Sequence, residues 1–240
     1  MEALREEAKQ STAQNIKQLP GRSKRYTVTK RIIDIVLSLI ASLVLLIPLC
    51  LLSGIILCKD FGNPIFTQIR IGKDGKPFRI FKLRSMKKGS EHLDEMLTKE
   101  QLAEYRNEYK LNDDSRLIGW KKQGDGTRCF GALLRRTSMD ELPQILFNIC
   151  IMGNMAIVGP RPILPEELMR HYSAEDQKIL LSVKPGLTGY WQAYARNNAS
   201  YNTGERQKME LFYAQNANLL WDIKIFFSTF EAVLRKQGAK

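Results

Sequence analysis

The chain has 240 residues, enough for one membrane segment and one domain of ordinary size. Lys and Arg number 37 against 25 Asp and Glu, a net charge of +12, which suits lipid head groups, nucleic acid or phosphorylated small molecules as partners. Four cysteines without a Cys-x-x-Cys spacing argue for reduced thiols, and two histidines are too few for a His-based metal cluster.

Residues 1–29 read as a polar leader without a motif. From Ile32 to Leu57 the only formal charge is Asp34. At ~1.5 Å per helical residue such a run exceeds the ~30 Å hydrocarbon core of a bilayer. A membrane-embedded helix is therefore expected over residues 30–58, and a lipid bilayer displaces nucleic acid as the expected partner. The run starts too late and is too long for a cleaved signal peptide. Pro48 lies inside it, has no N–H to donate, and predicts a kink or break. Lys24, Arg25, Lys30 and Arg31 precede the run, and Lys59, Arg70 and Lys73 follow it, so charge gives no orientation. Two arrangements stay open: a single-pass anchor with a tolerated proline, and a re-entrant helix broken at Pro48.

Residues 59–240 read as one catalytic-sized domain. Ile65–Ile71 and Phe78–Leu83 alternate as strands around an Asp74-Gly75 turn, predicting a β-hairpin. Glu91–Tyr109 favours helix, and Asn112–Arg128 is rich in loop residues. Leu142–Met152 is apolar and helical. Gly153 to Pro165 reads as a rigid irregular loop, Pro165 opens a helix, and Lys184–Gly189 is turn-rich. Glu205–Ala217 is helical, and Leu219–Lys236 carries an apolar stripe of Leu219, Ile223, Phe226, Phe227, Phe230 and Val233 at helical spacing. That stripe suits either the membrane interface or the domain core. The expected class is α+β: a membrane helix followed by a mainly helical cytosolic domain with a small β-hairpin and interfacial amphipathic helices.

Asp140 and Glu141 sit just before Leu142-Pro143, and Pro143 suits a first helical turn. A helix N-terminus favours the ionised carboxylate, which can serve as a nucleophile or a magnesium ligand. A capping box, Ser138-x-x-Glu141, accounts for the same residues without any chemistry. Arg135 and Arg136 lie upstream. Arg161, between Pro160 and Pro162, is held on a stiff loop that suits bidentate capture of phosphate oxygens. Tyr190, Trp191 and Tyr194 read as core aromatics rather than a stacking platform.

Several motifs occur together: Lys30-Arg31-Ile32-Ile33-Asp34, Phe66-Thr67-Gln68 with Arg70-Ile71-Gly72, Phe81-Lys82-Leu83-Arg84-Ser85-Met86, Thr137-Ser138-Met139-Asp140-Glu141-Leu142-Pro143-Gln144, Gly153-Asn154-Met155, Val158-Gly159-Pro160-Arg161-Pro162, and Lys184-Pro185-Gly186-Leu187-Thr188-Gly189. In this order, over most of residues 30–235, they resemble the bacterial sugar transferases, the monotopic phosphoglycosyl transferases acting on polyprenyl phosphate. The resemblance implies transfer of a sugar 1-phosphate from a UDP-sugar to undecaprenyl phosphate, with UMP released, as the initiating step of capsule, exopolysaccharide or O-antigen assembly. It implies a place at the cytoplasmic face of the bacterial inner membrane, with homo-oligomerisation left open. It makes Asp140 the nucleophile of a phosphosugar–enzyme intermediate, and gives Glu141 proton transfer or metal positioning. Mg²⁺ would bridge Asp140 and the diphosphate. Arg161, supported by Arg135, would hold a phosphate, with Lys82 and Arg84 in the same basic funnel. It also implies a re-entrant membrane helix, although Ile47 stands where some members place a serine before the proline. The competing readings are a glycosyltransferase that releases UDP and a membrane-anchored basic scaffold.

Overall fold

The computed structural model describes residues 23–90, 92–108, 111, 114–121, 129–195 and 204–234. Most of the polar leader and part of the expected 112–128 loop lie outside them.

Helix α1, Lys24–Lys59, is capped by Ser23, whose hydroxyl accepts the Arg25 N–H at 3.2 Å. It starts earlier than residue 30 because its polar first turns dock on the domain. Tyr26 donates to Asp222 at 3.0 Å, and the Lys30 ammonium lies 2.9 Å from the same carboxylate. Arg31 donates to the Ile149 carbonyl at 2.6 Å, and Asp34 accepts the Ile157 N–H at 3.0 Å. At the other end Leu49, Leu52 and Ile56 pack against Leu83, Ile118 and Leu134. Between these anchors Leu43, Val44 and Ile47 are each at least 70% exposed. The expected break at Pro48 is not an interruption, since the helix runs through it. Proline removes the hydrogen bond to one preceding carbonyl, and the turns on either side persist. The helix is long and apolar enough to cross a membrane.

Strands β1 (Ile65–Ile71) and β2 (Pro77–Leu83) pair antiparallel, with Ile65 opposite Leu83 and Ile71 opposite Pro77. Asp74 and Gly75 close the hairpin in the left-handed region, at φ 58° and 74°. Short helices α2 (Leu93–Met96) and α3 (Lys99–Glu108) follow. Helix α4 (Phe130–Arg136) leads through a tight 3₁₀ turn, Met139–Glu141, into α5 (Leu142–Gln144). The chain continues in wide π turns over Ile145–Ile151, where an α-helix was expected.

The expected irregular loop after Gly153 contains strand β3 (Ala156–Val158), and the turn-rich Lys184–Gly189 contains β4 (Gly186–Thr188). The two pair in parallel. Their backbones approach so closely that a Cβ on Gly186 would fall 2.1 Å from the Gly159 nitrogen. The glycines that suggested turns therefore mark a close backbone approach. Helices α6 (Pro165–His171) and α7 (Ala174–Leu180) lie between these strands in sequence, and α8 (Tyr190–Tyr194), α9 (Glu205–Asn216) and α10 (Leu219–Leu234) follow β4. On α10 the face toward the domain holds Ile225, packed with Val158 and Tyr213. The stripe residues Ile223, Phe227 and Phe230 are exposed, so most of the stripe faces away from the core.

Candidate active site

Two backbone features bring the acid pair and Lys82 together. Ser138 sits in the left-handed region at φ 56°, reversing the chain after α4 so that Asp140 points inward and is 8% exposed. Its side chain makes no capping bond, so the expected capping box does not form. Lys82 is carried on the outer reach of β2. Among the described residues that strand has one strand neighbour, and its other edge is held by Asn148 from the π turns. The Asn148 Oδ1 accepts the Phe81 N–H at 3.1 Å, and Nδ2 donates to the Arg79 carbonyl at 2.7 Å.

The Lys82 ammonium lies 2.7 Å from Glu141 Oε1 and 3.6 Å from Asp140 Oδ2. Burial pushes the Asp140 carboxyl above the ordinary aspartate range, Lys82 opposes it, Glu141 adds to it, and Arg135 opposes it. A helix N-terminus favours the ionised form, but at Asp140 burial outweighs it, because desolvation penalises the charged form.

These groups line a cavity of about 520 Å³. Arg70, Arg161 and Arg206 line its other side, backed by two buried carboxylates. Arg161 Nη1 lies 3.5 Å from Glu167 Oε2, and its backbone N–H donates to Glu210 Oε2 at 2.9 Å. Arg70 Nη1 is 3.8 Å from Glu167, and Arg70 Nη2 donates to Gln68 at 2.7 Å. The Arg206 guanidinium stacks 3.9 Å above the Trp191 ring. Burial pushes the Glu210 carboxyl up, with Arg206 and Arg161 opposing. Three guanidinium groups over two carboxylates leave this side cationic, which suits an anion such as a diphosphate.

Asp140, Glu141, Lys82, Arg135 and Arg161 thus share one cavity. Arg84 does not line it. Arg84 pairs with Asp60 just past the end of α1 and donates from Nε to the Asn63 carbonyl at 2.9 Å. It fastens the exit of α1 to the hairpin, because β2 ends beside that exit. Arg70, Arg206 and Trp191 were missed as cavity residues. Arg70 stood inside a family motif, which was its signal; Arg206 had none. Among the described residues no group of three or more His, Cys, Asp or Glu comes together. A cation here would draw on the acid pair, with its remaining ligands coming from substrate phosphates and water, which is the usual habit of Mg²⁺.

A family model described as bacterial sugar transferase matches residues 25–236. This chain belongs to that family. An uncharacterized sugar transferase of Haemophilus influenzae is 40% identical over 88% of this chain and 42% of its own length. The undecaprenyl-phosphate galactose phosphotransferase of Salmonella typhimurium is 38% identical over 92% of this chain and 43% of its own. The exopolysaccharide production protein ExoY of Sinorhizobium fredii is 38% identical over 88% of both chains. The chain therefore spans less than half the length of the first two relatives and most of the third. The residues matched by the family model include the acid pair and nearly all of the apolar helix.

Proposed function

We propose that this sugar transferase moves a sugar 1-phosphate from a UDP-sugar to undecaprenyl phosphate, releasing UMP, as an initiating step of capsule, exopolysaccharide or O-antigen assembly. The observation that carries the reading is the Asp140 carboxylate in the wall of a cavity rich in guanidinium groups, with the Lys82 ammonium 3.6 Å away. An Asp140 oxygen attacks the sugar-linked phosphorus. The bond from that phosphorus to the bridging oxygen breaks, and UMP leaves with the electron pair. An oxygen of undecaprenyl phosphate then attacks the same phosphorus, and the bond to Asp140 breaks to restore the carboxylate. Glu141 is placed to take the proton of an incoming phosphate monoester, and Lys82 holds both carboxylates in register. Arg161 and Arg135 hold phosphate oxygens; Arg70 and Arg206 extend the same cationic wall. Mg²⁺, held by Asp140 with Glu141 beside it, would neutralise phosphoryl charge and stabilise the leaving UMP.

We assign residues 59–240 as the catalytic domain and α1 as a re-entrant membrane helix that bends at Pro48 while staying helical. Both ends of α1 contact the same domain, through Asp222 and Ile157 at one end and Leu83 and Leu134 at the other. A helix crossing the bilayer leaves its two ends on opposite sides. The exposed Leu43, Val44 and Ile47 then lie deepest in lipid, and the exposed stripe of α10 lies in the interface. Four free cysteines suit a reducing compartment, in keeping with a domain on the cytoplasmic face of the inner membrane.

The test is nucleotide release by nanodisc-held protein given undecaprenyl phosphate, Mg²⁺ and a panel of UDP-sugars led by UDP-galactose, the sugar in the Salmonella relative's name. UMP released with one donor, and lost in Asp140→Asn, supports the reading. UDP release would move the chain to the glycosyltransferases, and near-normal turnover by Asp140→Asn would remove the nucleophile.

A further inference from the structure

The stretch before α4 belongs to none of the shared motifs, yet it reaches the cavity through one carboxylate. Asp114 and Arg116 are 3% and 2% exposed. Asp114 Oδ1 accepts the Arg116 Nε at 2.8 Å and the Arg116 backbone N–H at 3.1 Å, and Oδ2 accepts Nη2 at 2.7 Å. The Arg116 guanidinium lies 4.8 Å from the centre of the Tyr105 ring on α3. The oxygen that accepts Arg116 Nη2 also faces Arg135, whose Nη1 lies 3.8 Å from Asp114 Oδ2.

The frame around this pair is stiff. The Lys87 N–H donates to the Arg116 carbonyl at 2.7 Å, the Ile118 N–H to the Ser85 carbonyl at 3.0 Å, and the Gly131 N–H to the Ile118 carbonyl at 2.9 Å. Gly131 sits so close that a Cβ would fall 2.2 Å from the Ser85 carbonyl oxygen. The first turn of α4 is thereby locked to the strand that carries Lys82 and to the loop that carries Asp114. Arg135 is in the last turn of α4, and its side chain is 39% exposed along the cavity wall. An arginine this exposed loses considerable rotamer freedom when it is held in one direction.

We propose that Asp114 is a positioning residue for Arg135, directing its guanidinium into the donor site, and that the 114–121 loop and α3 act on donor affinity through this carboxylate. The proposal rests on the phosphate-holding role assigned to Arg135 above. Two guanidinium groups share one carboxylate, so the cluster keeps a net positive charge. Arg116 satisfies Asp114 from inside the fold; Arg135 is oriented from outside it and keeps its charge for a phosphate.

A double-mutant cycle tests this, with UDP as the probe and its dissociation constant measured calorimetrically on nanodisc-held protein. The corners are wild type, Asp114→Asn, Arg135→Gln and the double variant. The cycle is repeated with Arg116→Met throughout, so that no buried guanidinium is left without its partner. Asp114→Asn is expected to weaken UDP binding about fivefold, and to add almost nothing once Arg135→Gln is present. In turnover the same variant raises the KM for the UDP-sugar and leaves kcat within about twofold, as loss of binding shared by ground and transition states does. Equal weakening with and without Arg135, or no weakening, would overturn the positioning role and leave Asp114 a purely structural partner of Arg116. Release of UDP instead of UMP by wild type would sink the phosphosugar reading alone, since the binding cycle needs no turnover.

Discussion

Replacing Asn148 with leucine should destabilise the domain by about 2.5 kcal/mol, the loss of two buried backbone partners less what the apolar side chain returns. Asn148 is fully buried. Its side chain accepts from the Phe81 N–H at 3.1 Å and donates to the Arg79 carbonyl at 2.7 Å and to Asn154 Oδ1 at 3.0 Å. β1 occupies one edge of β2, so the Phe81 and Arg79 groups depend on Asn148 at the other. Each buried backbone group left without a partner costs about 1–3 kcal/mol. The apolar surface of leucine returns about 1–2 kcal/mol of this. For a chain of this size the loss lowers the unfolding temperature by roughly 5–10 °C. Urea unfolding of nanodisc-held protein, followed by tryptophan fluorescence, measures it. Asn154→Ala removes only the third bond and should cost under about 1 kcal/mol. Turnover should fall with Asn148→Leu, because Lys82 follows Phe81 directly on the same strand. A loss below about 0.5 kcal/mol for Asn148→Leu would refute the edge-holding argument, since an unmade pair of this kind exceeds that value.

Asp140→Asn should abolish turnover and raise the unfolding temperature at neutral pH. Burial holds the folded carboxyl above its unfolded value, so ionised Asp140 opposes folding once the pH passes the unfolded value. The gain should vanish at a pH where both forms are protonated; thermal scans across pH check this. Lys82→Met removes the cation that favours ionised Asp140, so the acid limb of the pH–rate profile should move to higher pH. An unmoved limb in kcat/KM would contradict that. Gly186→Ala should separate β3 from β4 and destabilise the domain by roughly 3 kcal/mol, read by the same urea unfolding. Cysteines introduced by Ser23→Cys and Phe61→Cys, with Cys50 and Cys58 replaced, should both react with an impermeant maleimide from one side of sealed vesicles. Labelling from opposite sides would make α1 a spanning helix.

The hairpin, α6 and α10 were legible because each rests on a local signal: an Asp74-Gly75 turn, Pro165 at a helix start, and an apolar stripe at helical spacing from Leu219. The acid pair, Lys82, Arg135 and Arg161 stood out as candidates in the sequence, and the fold brings them to one cavity. What could not be read was long-range. Gly186 looks like a turn residue until Gly159 lies against it. Arg84 looks like part of a basic funnel until Asp60 takes it. The raised carboxyl of Asp140 follows from burial, which no local pattern reports, and Ser138 reads as a cap until its backbone is seen to be left-handed. Arg206 joins the site only because Trp191 and Glu210 meet it in space.

The central claim is a covalent phosphosugar on Asp140. Intact-mass measurement after incubation with Mg²⁺ and the active UDP-sugar, with no undecaprenyl phosphate present, tests it most directly. A mass gain of one sugar phosphate is predicted, mapping to the peptide that holds Asp140, absent in Asp140→Asn, and discharged when undecaprenyl phosphate is added. UMP release in the full reaction with no adduct on rapid quenching, or an adduct that survives in Asp140→Asn, would contradict it.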